Sequence, residues 1–242
     1  MNLVLDIGNT HLKAGLFKKN VLINHFQFNN NNYYEKIRNI LECNPILYSI
    51  VSNVSNTEDK LIQLLKIKTQ FISFNSSLKI PFKNIYKSKT TLGQDRIALV
   101  TSSMKQFPNE NVLIIDLGSC ITYDFINSEN EYIGGAISPG LNMRYKSLNN
   151  YTSNLPFLEP EKINYLIGKS SEESIHSGVI NGIVSELNGA IDRYQKEFKK
   201  IRIILTGGDS KFLFSKIKNS IFANSNFLLL GLNFLIELNK KK

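Results

Sequence analysis

Along this chain, short apolar runs with a period near two alternate with stretches whose apolar positions recur every three or four residues. Leu3–Asp6, His11–Phe17 and Val21–Phe28 read as three strands joined by tight turns. Tyr33–Leu41 reads as a helix, Ile46–Ser52 as a strand, Glu58–Leu65 as a helix and Gln70–Phe74 as a short strand. Gln94–Met104 carries a helical stripe of Ile97, Ala98, Val100, Thr101 and Met104, with Pro108 beyond its end. At Val112 the pattern restarts. Val112–Asp116, Cys120–Ile126 and Glu131–Ile137 read as three further strands. A long helix follows Gly168, with Ser170 and Glu173 as a capping box and Ile175, Val179, Ile183, Leu187 and Ile191 on its buried face. Ile201–Leu205 reads as a buried strand, Thr206-Gly207-Gly208 as a turn, and two helices complete the chain. The alternation predicts α/β architecture.

The second half echoes the first. Setting Asp6 on Asp116 superposes LVLDIGNTHLKAGLF on LIIDLGSCITYDFI for most of its length. Two hairpins of one design predict two domains of common plan, residues 1–110 and 111–242, with the boundary near Asn109–Val112. The pattern points to a phosphate-binding cleft between them.

Composition narrows the class of protein. The 242 residues are 42% apolar and 20% charged, ordinary values for a globular enzyme. The net charge of +9 raises the question of nucleic acid, but Lys and Arg are spread along the chain rather than gathered in a stripe, so we expect no nucleic-acid partner. Cys43 and Cys120 form no CxxC or Cys/His array, which argues against structural zinc or a disulfide framework and fits reduced thiols in the cytoplasm. Asp6 interrupts the first apolar run, so no signal peptide is expected. The most apolar late segment, Phe227–Leu238, contains Asn233 and Glu237 and is too short to span a bilayer.

Candidate chemistry sits at the turns. In Asp6-Ile7-Gly8-Asn9-Thr10 three apolar residues, Leu3 to Leu5, lead to a carboxylate, and Gly8 permits a positive φ. Asn9 and Thr10 add side-chain donors near backbone N–H groups, a geometry suited to phosphate oxygens, and Lys13 is placed to reach the same anion. Asp116-Leu117-Gly118-Ser119 repeats the arrangement. One Asp-x-Gly turn alone is a common structural feature; two at equivalent places in duplicated halves suit a polyphosphate gripped from both sides. Thr206-Gly207-Gly208, between strand and helix, leaves room for a ring or ribose to approach the backbone, or is merely the usual α/β connection. Gly93-Gln94-Asp95-Arg96 opens a helix. There Asp95 is either a cap kept ionised by the dipole or a cleft carboxylate, and Arg96 either lies on a solvated face or offers a fork to an anionic substrate. Gly134 to Gly140 is a glycine-dense strand exit that shapes a pocket or a subunit contact. His11, His25 and His176 read as surface or core histidines.

The ordered set DIGNTHLK, GQDR, DLGSCITYD, GGAISPG, GKSSEESIHSGVINGI and LTGGD resembles type III pantothenate kinases, over nearly the whole chain. The resemblance implies two actin-like (ribonuclease H-like) domains with a nucleotide cleft, and transfer of phosphate from ATP to pantothenate. It implies that Asp6, Ile7, Gly8, Asn9, Thr10, His11, Leu12 and Lys13 form the first nucleotide loop. Asp95 would be the proton acceptor, with Tyr86, Gly93, Gln94, Arg96 and Ser171 contacting pantothenate. Asp116 would hold a monovalent cation, K⁺ or NH₄⁺, and Ser119 would touch nucleotide. It further implies Mg²⁺ or another divalent metal with ATP, and a homodimer. Ser119 and Ser171 stand where the family usually has Thr, and keep the hydroxyl. Two other readings remain: another small-molecule kinase of the same fold, and a non-catalytic nucleotide-binding regulator.

Overall fold

The computed structural model describes residues 1–8, 11–29, 33–53, 59–217 and 222–240. Asn9 and Thr10 of the first loop lie outside the described residues. Contacts divide the chain into two compact units. The first comprises Met1–Asn109, Glu129–Ile133 and Asn226–Lys242, and the second Glu110–Ser128 and Gly134–Ser225.

The first unit is built on a five-stranded sheet of order β3-β2-β1-β4-β5. Its strands are β1 (Asn2–Ile7), β2 (His11–Lys18), β3 (Val21–Asn29), β4 (Tyr48–Asn53) and β5 (Gln70–Ile72). β1–β2 and β2–β3 are antiparallel hairpins, while β4 and β5 join in parallel. Side chains alternate across a strand, and β1 shows this directly. Leu3, Leu5 and Ile7 pack with Tyr33, Ile37 and Ile40 of α1 (Tyr33–Cys43) and with Leu61 and Leu65 of α2 (Asp59–Lys68). Val4 instead joins Phe17, Ile50, Ala98 of α3 (Gln94–Gln106) and Leu229, Leu232, Leu235 and Ile236 of α7 (Phe227–Asn239). Helices therefore cover both faces of β1, which explains its unbroken apolar run. Asp6 points to the same side as Val4, the side of α3.

The last helix corrects the expected 111–242 domain, because α7 belongs with the first unit. A methyl group added to Gly231 would sit 1.8 Å from the Ala98 carbonyl oxygen, so α7 and α3 pack backbone to backbone at that point. Asn233 of α7 accepts a 2.7 Å hydrogen bond from Asn2 and donates to the Lys19 carbonyl at 3.0 Å. The polar residues that break this apolar segment thus tie it to β1 and to the turn after β2.

The second unit repeats the topology. Its sheet runs β11-β10-β7-β8-β9, from β7 (Asn111–Leu117), β8 (Cys120–Ile126), β9 (Glu131–Pro139), β10 (Ile201–Thr206) and β11 (Phe222–Ala223). β7–β8 is an antiparallel hairpin, and β10 joins both β7 and β11 in parallel. β7, β8, β9, β10 and β11 therefore stand in the order of β1, β2, β3, β4 and β5. The core face of α5 (Ser171–Glu197) packs Ile175, Val179, Ile183, Leu187 and Ile191 onto Leu113, Ile115, Ile203 and Leu205, as its periodicity predicts. Ser170 caps α5 by accepting from the Glu173 N–H at 3.2 Å, while the Glu173 carboxylate reaches back to the Lys169 N–H at 2.6 Å. Two short elements escape sequence reading: β6 (Lys83–Asn84), which pairs with Glu131 and Tyr132 of β9 inside the first unit, and α4 (Leu141–Asn150), whereas α6 (Ser210–Leu213) is the helix expected after Gly208.

The duplication carries a one-residue offset. Asp6 lies opposite Lys13 on β2, whereas Asp116 lies opposite Thr122 on β8. The second hairpin loop is a residue shorter, so an ungapped superposition holds along β1 and β7 and slips by one along the returning strands.

Candidate active site

In the first unit the strand register sets three polar residues side by side. Asp6 of β1 is flanked by Lys13 of β2 on one side and by Ser52 of β4 on the other, and paired residues project to one face. That face is the one covered by α3, whose first turn carries Asp95. Burial raises the Asp6 pKa from the usual 3.8 to about 6, the positive Lys13 opposes this, and the negative charge of Asp95 adds to it. The two carboxylates therefore lie within electrostatic reach of each other. The Gly8 N–H donates to the His11 carbonyl at 3.0 Å and so closes the first hairpin. Neither Gly8 nor Gly118 uses a positive φ; Gly134 and Gly207 do. The expectation for Gly8 is corrected accordingly.

Asp95 gains its position from Gly93, the N-cap of α3. A Cβ at residue 93 would lie 2.3 Å from Asp95 Oδ1, so only glycine lets the carboxylate fold back over the helix start. There Asp95 Oδ1 accepts from the Arg96 N–H at 2.8 Å. The dipole argument predicts a carboxylate held readily ionised. Burial outweighs it: the Asp95 pKa is raised, with the Arg96 N–H and guanidinium charge pulling the other way. Asp95 is thus a stronger base than a free carboxylate.

Arg96 is buried rather than on a solvated face. Its guanidinium lies 5.6 Å from the Tyr86 ring and 5.9 Å from the Tyr132 ring, and the two rings are 5.8 Å apart. Aromatic faces attract a guanidinium and fix its plane while its N–H edge stays directional. Tyr132 escapes sequence reading because it lies in β9, far along the chain; β6 brings it beside Tyr86. Gln94 is half-buried in the same first turn, and His11 is exposed at the start of β2.

In the second unit Asp116 is the penultimate residue of β7, beside two glycine turns. Gly207 has φ +95°, and a Cβ there would sit 2.3 Å from the Leu117 carbonyl oxygen and 2.5 Å from Asp116 Oδ1. The Asp209 N–H donates to the Leu117 carbonyl at 3.0 Å, and the Gly140 N–H to the Ser119 carbonyl at 3.2 Å. Glycine at 140 and 207 thus lets backbone close on the Asp116–Ser119 hairpin, where Ser119 is exposed. Ser171, in the first turn of α5, lines a cavity of about 620 Å³ with Arg144, Ser147, Leu148, Leu155 and Val179. Arg144 is itself anchored, donating to Glu186, Ser138 and the Pro139 carbonyl. The histidines match their bland reading: His176 is a core residue hydrogen-bonded to the Tyr145 hydroxyl at 2.8 Å, and His25 is exposed.

No described helix is long and apolar enough to cross a membrane, and no group of three or more described His, Cys, Asp or Glu residues is arranged to hold a metal. The chemistry available in the first unit is that of a carboxylate base and a buried guanidinium beside a second carboxylate.

The chain is similar to known proteins throughout its length. It is 48% identical over 241 residues to the type III pantothenate kinase of Christiangramia forsetii, covering 99% of each chain. It is 44% identical to that of Flavobacterium johnsoniae over 96% of each. Among solved structures it resembles a Baf family transcriptional activator from Campylobacter jejuni (24% identity, TM-score 0.61, 98% of each chain). It also resembles a ROK family glucokinase from Streptomyces griseus in complex with glucose and AMPPNP (12% identity, TM-score 0.54, 98% of each). At these identities the two structures speak for the fold alone, an actin-like α/β fold. The sequence profile of type III pantothenate kinase matches residues 2–193, and with the full-length relatives this establishes that the chain belongs to that family.

Proposed function

We propose that this protein transfers the γ-phosphoryl group of ATP to pantothenate, giving ADP and 4′-phosphopantothenate, the first step of coenzyme A biosynthesis. The observation that carries the reading is the pairing of a buried, base-strengthened Asp95 with an Arg96 fixed between Tyr86 and Tyr132, in a member of this family. Arg96 would bind the pantothenate carboxylate, with Tyr86, Gly93, Gln94 and Ser171 completing the substrate contacts. Asp95 would accept the proton of the primary hydroxyl as its oxygen bonds to the γ-phosphorus and the bond to the β-phosphate oxygen breaks. Such transition states are loose and anionic, so positioning and charge balance dominate the rate.

The loop from Asp6 through Lys13 and the Ser119 hydroxyl would contact nucleotide. A divalent metal fits Asp6, whose buried carboxylate is short of positive charge; bound with ATP, the metal would offset phosphate charge there. A monovalent cation, K⁺ or NH₄⁺, would be held by the Asp116 carboxylate, a hard oxygen donor. Leu166, Ile167 and Tyr151 of the second unit are 76%, 77% and 88% exposed. Apolar surface of this kind supports a homodimer. We place the enzyme in the cytoplasm, without a nucleic-acid or membrane partner.

Mass spectrometry of the products tests the reaction. Incubation with ATP, Mg²⁺, K⁺ and an equal mixture of pantothenate, glucose and N-acetylmannosamine should phosphorylate pantothenate alone. A phosphorylated sugar, or no product from folded protein, contradicts the proposal.

A further inference from the structure

The row Lys13–Asp6–Ser52 contains a residue with no role so far. Ser52 is the penultimate residue of β4, the residues before it, Ile50 and Val51, are core, and its side chain is completely buried. Its hydroxyl has no hydrogen-bond partner of normal geometry in the protein. A buried hydroxyl left in that state costs free energy, and removing it is nearly neutral or favourable for stability. A serine retained there needs another reason, and its surroundings supply one. The register pairs Ser52 with Asp6, so its hydroxyl lies on the α3 side of the sheet, beside the Asp6 carboxylate.

The duplicated half gives an internal comparison. There the row is Thr122–Asp116–Thr206, and Thr206 stands beside Asp116 as Ser52 stands beside Asp6. A hydroxyl flanks the strand-end carboxylate in both units. Thr206, however, is used structurally, because its hydroxyl donates to the Asn224 carbonyl at 2.8 Å. Ser52 has no such tie.

We propose that Ser52 is a positioning residue for Asp6: in the working enzyme its hydroxyl donates to the Asp6 carboxylate and, opposite Lys13, fixes the direction in which that carboxylate faces the nucleotide phosphates and their metal. The proposal rests on the kinase reading above. Its effect is expected on turnover rather than on pantothenate binding, since Asp6 belongs to the nucleotide loop.

The test compares wild type, Ser52→Ala and Ser52→Thr in one ADP-release assay with pantothenate, and by thermal unfolding without ligands. Thr keeps the hydroxyl, and Thr206 occupies the equivalent position in the other unit. The expected result for Ser52→Ala is an unchanged or higher Tm with kcat reduced about tenfold or more, the order associated with a hydrogen bond to a charged group. The KM for pantothenate should stay within about twofold, and Ser52→Thr should recover most of kcat. A Ser52→Ala enzyme with wild-type kcat overturns the proposal. So does a drop in its Tm that accounts for the lost activity, which would make Ser52 a structural prop. Wild type that leaves pantothenate untouched would instead refute the kinase reading.

Discussion

Asp6 and Asp95 both carry raised pKa values, and burial is the first cause for each. For Asp6 the consequence for stability has a definite sign. Its pKa is 3.8 in the ordinary state and about 6 in the folded one. Between those values the native chain binds more protons than the unfolded chain, so stability falls as pH rises from about 4 to 6 and stays lowered above that window. The shift corresponds to a cost of up to roughly 3 kcal/mol. Asp6→Asn should therefore raise the Tm measured at pH 7 without ligands, flatten its decline between pH 4 and 6, and abolish most turnover. A Tm at pH 7 that falls in the variant would contradict the burial argument.

At the level of elements, α3 is the piece that must be placed accurately, since it carries both Asp95 and Arg96. Its seat is set by α7, and the closest approach is at Gly231. Gly231→Ala should force the helices apart and lower stability by about 1–3 kcal/mol, the usual cost of overpacking, measured by urea unfolding; an unchanged midpoint would show the contact to be slack. Long elements were legible from periodicity: β1, β7, β8 and the buried face of α5 follow directly from apolar spacing. α4 was not, because Leu141 and Tyr145 are its only fully buried residues and the preceding glycines draw attention to the strand exit. The placement of α7 was not legible either, since local pattern gives a buried helix but not the surface it covers. The same reasoning applies to the site. Asp6, Asp95 and Arg96 lie in recognisable turns, whereas Tyr132 and Ser52 enter through strand pairing, and pairing partners distant in sequence leave no mark on local composition.

For the molecule as a whole, the matching strand orders β3-β2-β1-β4-β5 and β9-β8-β7-β10-β11 support the reading of a duplicated actin-like fold. The exposed Leu166, Ile167 and Tyr151 predict self-association through the second unit. Sedimentation should give a dimer for the wild type and a monomer for Ile167→Asp; a monomeric wild type would remove the homodimer. The central claim is that Asp95 takes the proton of a pantothenate hydroxyl during phosphoryl transfer. The direct measurement is pantothenate-dependent ADP release by wild type and Asp95→Asn, with ATP, Mg²⁺ and K⁺, alongside unfolding curves for both. The account predicts a folded variant whose kcat is lower by roughly two to four decades. Near-normal turnover in that variant would contradict it.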